Sequence, residues 1–201
     1  FIGQNTAAVS ITSPTKVTLN GPVSARNGDV EIAATGAGHS ILSGDPGALV
    51  TARRVALTAG GSIGAGVTAP VQLRMDGAAN GNGALVATAA AGNVNLNAPN
   101  GVLIQRVTAA GNPAAGDGHV NISVGKDIQA GQAAQFIAPN TNHPIVDTAA
   151  LIQATRLTLR AGHGPIGAHA HPPQGHTGYS LATSTLRHGL NPHSAAGPSR
   201  L

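Results

Sequence analysis

Residues 55–64 read VALTAGGSIG, and residues 157–167 read LTLRAGHGPIG. In the first stretch Val55, Ala56 and Leu57 alternate in side-chain character, as on a strand with one buried face. Gly60 and Gly61 then break the pattern before one apolar residue, Ile63, returns. In the second, Leu157-Thr158-Leu159 leads through a glycine turn to Ile166. The pair therefore reads as two copies of one corner, with His163 and Pro165 substituted into the later turn.

Similar triplets punctuate the chain. They are Val17-Thr18-Leu19, Val30-Glu31-Ile32, Val55-Ala56-Leu57, Val71-Gln72-Leu73, Val94-Asn95-Leu96, Val120-Asn121-Ile122 and Leu157-Thr158-Leu159. β-branched residues dominate them, as strands prefer. Glycine recurs too often for long helices. A second apolar position usually follows each triplet after a short turn: Ile63, Val102-Leu103-Ile104, Ile128 and Ile166. The unit is strand, tight turn, strand.

Spacing extends the pattern. Val30 to Val55 is 25 residues and Val94 to Val120 is 26, while Val55 to Val94 is 39 and Val120 to Leu157 is 37. The extra residues fall in Gly/Ala/Asn-rich or Pro-rich segments near 77–83 and 138–144, which read equally as loops or as partial extra coils. Repeats of this length, all strand and turn, predict a β-solenoid, whose units bury an apolar face only by stacking. About seven coils at the ~4.8 Å strand spacing would make a rod ~30 Å long. The competing architecture is a β-sandwich, which also has many short strands.

Composition agrees with a thin, stacked core. Of 201 residues 28 are Gly, aromatics are 1% and charged residues 9%, so Ala, Val, Ile and Leu supply most of the apolar content. Ordinary domains carry roughly 25% charge. The net charge of +4 reflects 7 acids against 11 bases, and apart from Arg53-Arg54 the bases are dispersed along the sequence. With no basic run and almost no stacking aromatics, nucleic acid is not expected as a partner. Cysteine is absent, which removes disulfides and thiolate metal sites. No apolar run reaches the ~18 residues of a membrane span. No signal peptide is visible, and the chain opens at Phe1 in mid-pattern, as expected for a piece of a longer array. From His169 the periodicity fades into Pro, His, Ser and Gly. The expected division is a repeat region, 1–168, and a poorly ordered tail, 169–201.

The G-x-V-x-[IL] triplets, the LTAGGSIG stretch and the Cys-free Ala/Gly/Asn/Thr background resemble the passenger regions of filamentous haemagglutinin-type adhesins. Such exoproteins leave bacteria by two-partner secretion, and autotransporter passengers are similar. The resemblance covers about residues 15–168. It implies an all-β, right-handed parallel β-helix at, or released from, the bacterial outer surface. It also implies passage through an outer-membrane transporter, which lack of disulfides would favour. The family's secretion domain carries Asn-Pro-Asn-Gly-[Ile/Val]. Residues 97–102, NAPNGV, match it only with an inserted alanine and are assigned to a coil corner, since Pro-Asn-Gly is a good turn.

Each chemically suggestive motif has a plainer explanation. Residues 60–64, GGSIG, lack the Lys-[Ser/Thr] of a phosphate loop and read as a corner where glycine supplies positive φ. Gly162-His163-Gly164 resembles an element of pectin-cleaving β-helix hydrolases, but glycosidic hydrolysis needs two flanking carboxylates. The acids are Asp29, Glu31, Asp45, Asp76, Asp117, Asp127 and Asp147, with no Asp-Asp pair. His163 aligns with Gly61, as a variable corner residue would. Asp45 and Asp117 sit in isolated Gly-Asp turns, without the nonapeptide repeat of a calcium roll. His169, His171 and His176 are possible imidazole ligands on an extended Pro-bearing segment without a fixed scaffold. Asn80, Asn82, Asn93, Asn95, Asn97, Asn100 and Asn121 fall at turns or outward strand positions, where stacked amides hydrogen-bond along the axis.

The expected function is that of a non-catalytic β-helical segment of a secreted or surface-exposed adhesin. It would serve as a stalk or display scaffold, with a host-cell receptor or glycan as partner. No catalytic, cofactor-binding or metal residue is assigned, and no cofactor is expected. The alternatives are a carbohydrate-active β-helix lyase or hydrolase, and a structural surface-layer or matrix protein.

Overall fold

A computed structural model describes residues 8–75, 83–130, 135–137, 144–146, 152–163, 166 and 183–185. The strands are β1 (Ala8–Ser13), β2 (Val17–Leu19), β3 (Val23–Ala34), β4 (Ile41–Ser43), β5 (Leu49–Ala59), β6 (Val71–Met75), β7 (Gly83–Ala89) and β8 (Val94–Ala98). They continue with β9 (Val102–Ala109), β10 (His119–Val124), β11 (Ile128–Ala130), β12 (Gln135–Ile137), β13 (Pro144–Val146), β14 (Ile152–Ala154), β15 (Arg156–Ala161) and β16 (Thr183–Thr185). All seven triplets lie in strands. Among the described residues the protein is all-β apart from one 3-10 turn at Pro113–Ala115, and its main sheet is parallel. Parallel pairing sets it apart from a sandwich of antiparallel sheets.

The strands stack in columns that curve round one core. In the first column β1 pairs with the second half of β3, which pairs with β5, then β7, β9, β14 and β16. The second column runs β2, β4, the single residue Ile63, β8, β10 and β15. A third holds the first halves of β3 and β5 with β6, and separately β9 with β11 and Ile166. β3, β5 and β9 each run through two columns, and β3 bends at a bulge between Ala25 and Asp29. Bulges re-aim a strand in this way.

Inward positions are mostly aliphatic and fully buried. Ile32, Leu57, Leu85 and Val107 fill the first column, and Ile41, Ile63, Val94 and Val120 the second. They belong to one apolar cluster with Val50, Leu73, Met75 and Ile104. Val9, Ile11, Leu157 and Leu159, on strands at the two ends of the columns, are only partly buried.

The columns correct the equivalence of the two opening stretches. Residues 55–59 lie in the first column and cross to the second at Gly60-Gly61. Leu157-Thr158-Leu159 already lies in the second and crosses to the third. Gly60 stacks on Gly36, whereas Gly162 stacks on Gly125, so these are different corners. The alternating spacing has two origins: Val55 to Val94 changes column, whereas Val30 and Val55, 25 apart, Val94 and Val120, 26 apart, and Val120 and Leu157, 37 apart, are all in-register partners.

Within 60–64 the expected positive φ is found at Gly64, at 76°, and not at Gly60 or Gly61, whose role is different. A Cβ on Gly60 would drive into the Gly36 carbonyl, and one on Gly61 into that of Gly38. Those glycines let successive corners touch, backbone on backbone.

The 138–144 segment lies mostly outside the described residues, but its flanks β12 and β13 pair antiparallel. Residues 77–82 lie outside them, and Gly83 begins β7. The 169–201 tail is described only at Thr183–Thr185, which pairs with β14.

Candidate functional site

A single insertion shapes the outer surface of the second column. Ile63 pairs with Val94, and Val71 pairs with Leu96. One residue, Asn95, separates the partners in β8, while 64–70 loop out on the other side. The loop closes on itself. Ala65 N–H donates to the Ala69 carbonyl at 3.0 Å and Ala69 N–H to the Gly66 carbonyl at 3.2 Å. Gly64 and Gly66 take φ of 76° and 152°, values that side chains disfavour. The tip residue Val67 is 70% exposed. The core therefore gains nothing visible from this excursion. In stacked folds, inserted loops often mark the binding face.

Beside the loop lies a groove of about 410 Å³, within the range of small-ligand sites. Val67 and Pro70 form its apolar wall, and Gln72, Asn95, Asn97, Asn121, Ser123, Thr158 and Arg160 supply its polar groups. They project outward because their neighbours Val94, Leu96, Val120 and Ile122 point into the core. Register aligns them in two rows. Asn95 is opposite Asn121, which is opposite Thr158. Gln72 is opposite Asn97, then Ser123, then Arg160.

Amides link the rungs at Asn95, Asn97 and Asn121, three of the expected Asn positions. Asn121 Nδ2 donates to Asn95 Oδ1 at 2.9 Å, and Asn97 Nδ2 to Gln72 Oε1 at 2.7 Å. Asn95, only 4% exposed, also reaches the Gly64 carbonyl at 3.5 Å, which ties the loop root to the ladder. Asn93 Oδ1 accepts the His119 N–H at 2.8 Å. These bonds leave one amide oxygen of Asn121 and Asn97, and the Gln72 amide nitrogen, without a side-chain partner in the ladder. No carboxylate is among the described lining residues, and Arg160 is their one cation. Arg160 is exposed and has no ion-pair partner among the described residues.

The remaining motifs do not converge on a site. Asp29 pairs with Arg53 at 3.5 Å and with Arg54, at the bulged corner. The Asp45 carboxylate accepts Gly47 N–H at 2.6 Å within its own turn. Asp117 is reached by the Asn93 amide at 3.4 Å. His163 is exposed at a corner, and Gly164 lies outside the described residues. His169, His171 and His176 also lie outside them, as do Asn80 and Asn82. Among the described residues no three His, Asp or Glu side chains gather in a metal-binding group. No helix there is long and apolar enough to cross a membrane.

Removing residues 65–70 leaves Ile63-Gly64-Val71 to face Val94-Asn95-Leu96, one residue against one. The shortened chain is expected to fold with stability within about 1 kcal/mol of the parent, since no core residue is lost. Urea unfolding followed by circular dichroism checks this, and a loss above ~3 kcal/mol would give the loop a structural role.

Compared with family models, curated proteins and solved structures, the chain finds no match.

Proposed function

We propose that the chain is a right-handed parallel β-helical segment of a secreted or surface-exposed bacterial exoprotein of the filamentous haemagglutinin type. It acts as a non-catalytic scaffold that displays binding surfaces away from the cell. The observation that carries the proposal is the in-register parallel stacking of six successive rungs in the second column, from Val17 through Ile41, Ile63, Val94 and Val120 to Leu157. Parallel crossovers are right-handed in nearly every known case, which supports the handedness. The repeat composition supports the adhesin family, and lack of cysteine suits export through an outer-membrane transporter. Host-cell receptors or glycans are the partners such a scaffold meets.

A catalytic alternative draws no support from the groove, whose described lining has no carboxylate to act as acid or base. Far-UV circular dichroism is expected to show a β-dominated spectrum, and small-angle scattering an elongated particle. A helical spectrum or a compact spherical profile would sink the proposal. Screening glycans for turnover separates the enzyme, and cell binding by the isolated chain separates an adhesive module from a passive matrix protein.

A further inference from the structure

We infer that the groove beside the 64–70 loop binds a short acidic oligosaccharide. The inference rests on the scaffold proposal for its frame and adds a ligand and a site to it. Four rungs line the floor, from Gln72 through Asn97 and Ser123 to Arg160. At ~4.8 Å per rung the row extends about 14 Å, so the groove suits an extended chain better than a compact molecule.

The chemistry of the lining selects the ligand. Asn97, Asn121 and Gln72 each keep an unused donor or acceptor toward the groove, and Ser123 and Thr158 add hydroxyls. A sugar hydroxyl both donates and accepts, so it matches such a mixed set. Val67 and Pro70 offer the apolar contact that the C–H face of a sugar ring needs. Arg160 closes the far end of the row with a planar fork suited to a carboxylate or sulfate, and no lining carboxylate repels one. Nucleic acid fits poorly, because no aromatic side chain lines the groove for base stacking. A peptide strand fits poorly as well. β8 and β10 are paired along both edges, so the groove floor offers a strand only the outer edge of β15 at the end of the row.

The test uses the full chain and calorimetric titration. Four probes are titrated: a tetrasaccharide of alternating glucuronate and N-acetylglucosamine, its carboxyl-reduced form, that reduced form after O-sulfation, and an acidic tetrapeptide. The parent is expected to bind the uronate or sulfated form at least about tenfold more tightly than the reduced form. The two acidic arms identify which anion Arg160 prefers. Arg160→Gln and removal of 65–70 should each weaken binding about tenfold with an unchanged dichroism spectrum. Arg26→Gln removes the same charge from a corner outside the groove and should leave affinity unaltered. Equal affinity in Arg160→Gln, an equal loss in Arg26→Gln, tighter binding of the peptide, or no binding of any sugar would overturn the inference. Those outcomes leave the scaffold proposal standing, because dichroism and scattering test it independently.

Discussion

Gly60→Val should be the most damaging single substitution at the first corner. At Gly60 a Cβ has no space, since it would sit well inside van der Waals contact of the Gly36 carbonyl oxygen and carbon. The obstacle is backbone, held by the Gly60 N–H bond to the Ala34 carbonyl at 2.9 Å, so no side chain can swing aside. Overpacking typically costs ~1–3 kcal/mol, and a rigid obstacle places this case at the upper end, about 3 kcal/mol or more. Against a total stability of ~5–15 kcal/mol this is a large fraction. Gly21→Ala is the matched control. Nothing lies within 4 Å of its Cβ position and its φ is not positive, so stability should change by under ~1 kcal/mol. Urea denaturation followed by circular dichroism compares the two. Equal midpoints would show that close stacking of corners does not hold this part of the fold.

Ile63→Ala should destabilise the protein by about 2–5 kcal/mol, the range for deleting a buried aliphatic side chain. Ile63 is fully buried and is by itself one rung of the second column, between Ile41 and Val94. Its N–H donates to the Asn93 carbonyl at 2.8 Å, and its carbonyl accepts Asn95 N–H at 2.8 Å. These backbone bonds survive the substitution, so the cost is apolar contact and a cavity that fixed rungs on both sides keep open. Val67→Ala, four residues after Ile63 at the exposed loop tip, should shift stability by under ~0.5 kcal/mol. A similar small effect at Ile63 would mean that the neighbouring rungs collapse into the gap.

Local alternation made the strands legible. Val94-Asn95-Leu96 and Val120-Asn121-Ile122 each carry period-two apolar positions, and both are strands with those positions buried. β7 was harder to read. Its sequence GALVATA buries Ala87 and Ala89, residues with weak strand preference, and only register against β5 and β9 makes them core. The amide ladder was partly legible, since alternation turned Asn97 and Asn121 outward. Their partners were not, because Gln72 is 25 residues from Asn97 and meets it only through the stack. Arg160 carried no local signal at all, being one of several dispersed cations until register brought its row into line.

The sequence by itself determined that the chain is built of short strands and tight turns with small apolar interiors, because side-chain alternation and glycine are local properties. Tertiary structure decided which column each strand joins. In-register partners lie 20 residues apart at Ala87 and Val107 but 45 apart at Val107 and Ile152, so no fixed period assigns them. That is why VALTAGGSIG and LTLRAGHGPIG look alike and yet turn different corners. It is also why the inserted loop and its groove emerge only when Ile63 and Val71 are seen against Val94 and Leu96. Backbone pairing between distant segments sets that register, and the spacing of residues along one chain does not encode it.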